Sequence, residues 1–98
     1  GMVTYITLYR YTPQGIRNIK DSPSRIEQAR QTLERAGAKL KAVYLTTGRY
    51  DLVAISEWPN EESAMTFLLA QGAAGNVTSE TLGAFDEAAF KRIVAAVP

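Results

Sequence analysis

Tyr5, Tyr9 and Tyr11 lie near the start of the chain at even spacing, with Thr7 among them. In an extended segment, residues of like parity share a face, so this spacing makes one row of rings with hydroxyl tips. Such a row can line a pocket for a small aromatic or carbonyl ligand. It can also be an amphipathic contact surface. Ser56 and the Ser79/Thr81 pair could join it from other strands. A second group is Gln14, Arg17, Asn18 and Lys20, in a stretch that also holds Pro13 and Gly15. Arg17 and Lys20 suit an anionic ligand or carboxylate, and a loop of this length can act as a lid. The third is Asp51, which follows Gly48-Arg49-Tyr50. A carboxylate there can accept hydrogen bonds from turn amides or from the Thr46 and Thr47 hydroxyls. Its other possible role is as a base or ligand anchor. The structural role is the expected one.

Composition excludes much of the remaining chemistry. The 98 residues include no cysteine and no histidine, which removes thiolate chemistry, the commonest general base and the commonest metal ligand. Haem ligation through histidine is likewise excluded. Glu61/Glu62 and Asp86/Glu87 are adjacent in first helical turns. They suit the helix dipole and do not face one another as a dyad. No calcium-loop spacing is present. Gly72 and Gly75 follow a helix and do not open one, so no phosphate loop is expected. A net charge of +1 with scattered basic residues gives no field or stripe for nucleic acid or membrane. No cofactor, metal, nucleic acid or membrane partner is expected. No signal peptide or spanning run is legible, and cytoplasm is the expected location. Gly1 reads as a cloning remnant ahead of a single domain over residues 2–98.

The elements that must position these residues follow from pattern. Val3–Tyr11 is rich in β-branched and aromatic residues and predicts a strand. Thr12–Lys20 reads as a loop. Ser22 as N-cap and Pro23 at the first helical position open a helix striped by Ile26, Ala29, Leu33 and Ala36 and ended by Gly37. Lys39–Thr46 and Asp51–Trp58 predict a hairpin whose Gly48 suits a type II′ turn, with Leu45 opposite Leu52. Asn60 caps a helix to about Gln71 that is apolar almost all round, with Ala64, Met65, Phe67, Leu68 and Leu69. Asn76–Phe85 is a fourth strand. Asp86 opens a last helix striped by Phe90, Ile93, Val94 and Val97, with Phe85 and Phe90 spaced as a hydrophobic staple.

The order β-α-β-β-α-β plus a C-terminal helix predicts an α+β, ferredoxin-like fold with a four-stranded antiparallel sheet ordered 4-1-3-2. Ala42, Tyr44, Val53 and Ile55 share one face of the hairpin, and Val43, Leu45, Leu52 and Ala54 share the other. Both are apolar, whereas a sheet with one wet face alternates. The two crossover helices cover only one face. A second copy is expected to cover the other, giving a dimeric α/β barrel and a homodimer or higher oligomer. The face holding Tyr5, Tyr9, Val43 and Leu52 is the one expected at that interface.

The run Gly48-Arg49-Tyr50-Asp51-Leu52-Val53-Ala54-Ile55 resembles the GYD-domain family of the dimeric α/β-barrel superfamily. Thr12–Lys20 resembles the family's first loop, and Gly75-Asn76-Val77, Thr81-Leu82 and Ala84-Phe85 its fourth strand and exit. The resemblance implies the fold and carries no settled activity. The hairpin is also similar to the ligand-sensing domain of leucine-responsive transcription regulators, but no helix-turn-helix precedes it here. The expected function is a dimer that binds a small molecule, with Tyr5, Tyr9, Tyr11, Arg17, Asn18, Tyr50, Asp51 and Ser56 as candidate ligand residues. Catalytic residues are not identified. The alternatives are a cofactor-independent enzyme of isomerase or monooxygenase type, suggested by superfamily analogy, and a structural or assembly module.

Overall fold

A computed structural model describes residues 1–98. The elements are β1 (Val3–Tyr11), α1 (Pro13–Arg17), a 3-10 turn (Ile19–Asp21), α2 (Ser22–Arg35), β2 (Lys39–Leu45), β3 (Leu52–Trp58), α3 (Glu61–Ala74), β4 (Val77–Ala84) and α4 (Glu87–Ala95). The sheet runs β2-β3-β1-β4, with every neighbouring pair antiparallel. This is the ferredoxin-like arrangement the element order implied. Leu45 opposes Leu52, Tyr44 opposes Val53 and Val43 opposes Ala54, so the hairpin register also agrees.

The odd-numbered face of β1 lies under α2 and α3. One core cluster joins Leu33 of α2, Trp58 of β3 and Ala64 of α3, with Ala38 at the entry to β2; Tyr5, Leu40 and Phe67 pack against it. A second joins Tyr9, Leu52 and Ala54. The face with Tyr5, Tyr9, Val43 and Leu52 is therefore covered by the chain's own helices. The uncovered face is the opposite one, with Ile6, Leu8, Val53, Ile55, Tyr44 and Leu82. The expected interface face is thus inverted. Parity was right, but both faces of the hairpin are apolar, so parity could not say which of them the helices take.

Four local features also differ from expectation. Thr12–Lys20 is not an open loop: it holds α1 and the start of the 3-10 turn, pinned to the α3–β4 junction. Thr12 donates its N–H to the Asn76 carbonyl (3.1 Å) and its hydroxyl to the Gly75 carbonyl (2.6 Å). Gln14 Nε2 donates to the Ala74 carbonyl at 3.0 Å. A lid would have to break these bonds. Ser22 does not cap α2. Asp21 occupies the cap position without a side-chain bond, and the Ser22 hydroxyl is buried against Tyr11. The hairpin loop has Gly48 at φ +93°, but no Thr47–Tyr50 backbone bond closes a type II′ turn. Instead Thr46 N–H reaches the Asp51 carbonyl (2.8 Å) and the Thr46 hydroxyl the Tyr50 carbonyl (2.6 Å). Finally, β2 has a bulge between Leu40 and Ala42. The extra residue puts Leu40, opposite Ser56, and Val43, opposite Ala54, on the same inward face.

Asn60 and Asp86 do cap α3 and α4, accepting from Ser63 N–H (2.9 Å) and Ala89 N–H (2.8 Å). Yet α4 does not fold back on the sheet. Phe85, Phe90, Ile93, Val94 and Val97 are all exposed. The radius of gyration is 14.7 Å, against about 12.5 Å for a compact chain of this length. Met65 and Leu69 on α3 are exposed as well. Only 11 of 98 residues are buried, so this chain alone encloses a small core for its size.

Gly15 is required by close approach. A Cβ there would collide with the Asn76 carbonyl oxygen, whereas one at Gly72, inside α3, would meet nothing. Gly15→Ala should lower the unfolding free energy in urea by about 1–3 kcal/mol. Gly72→Ala should raise it by about 0.5–1 kcal/mol, since alanine is the better helix former.

Candidate functional site

Between the sheet and α2/α3 lies a cavity of about 340 Å³, within the range of small-molecule sites. β1 supplies Tyr5, Thr7, Tyr9 and Tyr11, which alternate onto its floor. The floor continues across Ser56, Ala54 and Leu52 of β3. α2 contributes Ser22, Arg25, Ile26 and Ala29, and α3 contributes Ala64, Phe67, Leu68 and Gln71. Each helical set is spaced at i, i+3, i+4 and i+7, one face of a helix.

Two of the three phenol tips are paired. Tyr9 donates to Gln71 Oε1 at 2.7 Å, tying the sheet to α3. The Tyr11 and Ser22 hydroxyls bond at 2.6 Å, tying it to α2. Trp58 Nε1 donates to Ser56 Oγ at 3.0 Å, so that indole forms a dry end wall beside Phe67, 5.5 Å away between ring centres. Desolvation pushes the Tyr9 phenol above its ordinary 10.0. Desolvation also raises Tyr5, and the Glu61 carboxylate adds to that rise. Both phenols stay protonated near neutral pH, which suits donors and not bases.

Arg25 is the only charged side chain lining the cavity. Its Nη1 donates to the Asn18 carbonyl at 3.1 Å, while Nη2 is buried with no hydrogen-bond partner.

The structure gathers Tyr5, Tyr9, Tyr11 and Ser56 at the cavity and leaves the other candidate residues outside it. Arg17 and Asn18 are exposed at the end of α1, with the Asn18 carbonyl holding Arg25. Tyr50 lies across the sheet from the cavity. Its hydroxyl donates to Glu80 Oε2 at 3.1 Å, and the guanidinium carbons of Arg10 and Arg49 sit 5.2 and 5.8 Å from its ring centre. Asp51 Oδ2 accepts the Tyr11 backbone N–H at 2.8 Å, and Asp51 N–H donates to the Tyr9 carbonyl at 2.8 Å. Its carboxylate thus extends the β1–β3 ladder by one rung. The expected partners, the turn amides and threonine hydroxyls, do not hold it. Thr46 instead closes the loop onto backbone carbonyls. Sequence reasoning missed Arg25, Ser22 and Gln71 as cavity residues. The signal was Gln71 falling at the i+7 position of the Ala64/Phe67/Leu68 stripe, a polar group where a helix faces its core.

The GYD domain family model matches residues 5–94, and this chain belongs to that family. A curated relative from Thermus thermophilus, the "Glutamine synthetase and cystathionine beta-lyase binding protein", is 32% identical over 84 residues, covering 85% of this chain and 88% of the relative. No solved structure matches the chain. No helix is long and apolar enough to cross a membrane.

Two outcomes test the site's chemistry. Asp51→Ala should cost about 1.5–3 kcal/mol in denaturant melts, the value of a hydrogen bond to a charged group. Asp51→Asn, which keeps a carbonyl oxygen for Tyr11, should cost less. The raised Tyr9 phenol makes the folded chain hold a proton that the unfolded chain releases. Its stabilising contribution is therefore complete below pH 10.0 and is lost as pH climbs through the higher folded value. Melting temperatures followed from about pH 8 to about pH 11 should fall less steeply for Tyr9→Phe than for the parent.

Proposed function

We propose that this chain is a cytoplasmic binding protein without catalysis, working as a homodimer that attaches to protein partners. The carrying observation is apolar surface left without cover. Ile6, Leu8, Val53, Ile55, Tyr44 and Leu82 form one broad outer sheet face, and α4 stands off the body with its stripe exposed. A flat apolar sheet face suits another of its kind, packed about 10 Å away. Two copies paired in this way form the dimeric barrel, with each set of helices outside. A narrow helical stripe suits a groove on a different protein. The name of the Thermus relative supports attachment to metabolic enzymes. The lack of histidine and cysteine, together with phenols that hold their protons, supports binding over acid–base turnover.

A second reading is favoured by the cavity: each subunit also carries a small molecule beneath its helices, and the partner interaction reads its presence.

Sedimentation equilibrium and binding to purified glutamine synthetase and cystathionine beta-lyase test the first reading. The parent should be dimeric at micromolar concentration and bind at least one of the enzymes. Val53→Lys, on the outer face, should give a folded monomer. Phe90→Asp with Ile93→Asp should stay dimeric and lose the enzyme. A monomeric parent, or an α4 variant that binds like the parent, overturns the corresponding half of the proposal.

A further inference from the structure

The cavity carries one uncompensated charge. Asn18 satisfies Nη1 of Arg25 through a neutral carbonyl, and the buried Nη2 has no partner. A buried charged donor without a partner is costly. Lining residues from six elements include no Asp or Glu to balance it. The Tyr5 and Tyr9 phenols, which desolvation keeps protonated, cannot do so either. A guanidinium has a planar fork of N–H donors that fits a carboxylate with two parallel bonds. The Tyr11–Ser22 hydroxyl pair lines the same cavity and leaves one further O–H donor there. Away from Arg25 the lining is mostly apolar and aromatic, with Ile26, Leu33, Phe67, Leu68 and Trp58, and the Tyr9 hydroxyl and Ser56 there are bonded to Gln71 and Trp58.

We propose that the cavity binds a small monocarboxylate with an aromatic or aliphatic body, its carboxylate meeting Arg25 and its body lying among Leu33, Phe67, Leu68 and Trp58. This deepens the second reading above and rests on it. The lining holds one cation and no Asp or Glu, so an acid charged at both ends, or a zwitterion with its ammonium beside its carboxylate, is poorly matched. The charge would be partly buried, so affinity should weaken only modestly with salt.

Calorimetric titration of the parent with phenylacetate and octanoate, beside the uncharged phenylacetamide and 1-octanol, tests this. The carboxylates should bind at least about tenfold more tightly than their neutral partners, a difference of about 1.4 kcal/mol. In Arg25→Gln that preference should vanish while binding of the neutral compounds persists. Should that variant fail to fold, the side-chain nitrogen signals of Arg25 in the parent serve instead. They should shift on adding phenylacetate and stay in place with phenylacetamide. Equal affinity for acid and amide, an Arg25→Gln protein that keeps the preference, or unmoved Arg25 signals overturns the carboxylate assignment and leaves the cavity as a site for neutral ligands. Binding of none of the four compounds overturns the assignment and the small-molecule reading together.

Discussion

Two phenol hydroxyls must find hydrogen-bond partners inside this fold, and most of its architecture follows from that. A buried hydroxyl without a partner costs more than the bond it could make. Tyr9 is buried beneath α3 and Tyr11 is half-buried beneath α2, so each helix has to bring a polar side chain to the face it turns toward the sheet. Gln71 and Ser22 are those side chains. The rings are long, and their tips meet the helices at the hydroxyl. The helices are thus spaced off the small floor residues Thr7, Ala54 and Ser56, and the space left over is the cavity. Larger residues on that floor would fill the volume, and apolar rings in place of the tyrosines would remove the spacers.

The same arrangement divides the molecule's surfaces by role. The inward face of the sheet has its Tyr9, Tyr11 and Ser56 hydroxyls bonded within the chain, and the outward face is apolar at its centre, around Ile6, Leu8, Val53 and Ile55. Its apolar rows end at the cluster of Arg10, Arg49, Tyr50 and Glu80. That cluster marks a charged border at the hairpin end of an otherwise greasy surface. The border is polar and the centre apolar, the division found between the rim and core of protein interfaces.

Much of this was legible in residue order. The strands announce themselves by β-branched and aromatic runs broken at Pro59, Gly48 and Gly75, and the caps by Asn60 and Asp86. Leu45 opposite Leu52 followed from the length of the loop between them. Which face of the sheet is covered was not legible, because Val53 and Ile55 are as apolar as Leu52 and Ala54. The deciding information sits on the helices, in Ser22, Arg25 and Gln71, and it has meaning only once the phenols lie opposite. The five-residue α1 is too short to show a periodicity. Its position depends on Gly15 lying against the Asn76 carbonyl, a contact between residues some sixty apart. The bulge in β2 has no glycine or proline to signal it.

That bulge bears on how chains of this kind behave when crowded. β2 is an edge of the sheet, and a regular edge offers an unbroken row of amides and carbonyls on which a further strand can grow. Here the row is interrupted between Leu40 and Ala42, and Lys39 and Lys41 are exposed along it. Lys41 is itself turned to Glu57 on β3, 3.3 Å away. A kinked, lysine-bearing edge is a poor template for strand addition. A protein with this much exposed apolar surface is thereby steered away from edge-to-edge aggregation and toward closed assemblies that stop growing once their faces are matched.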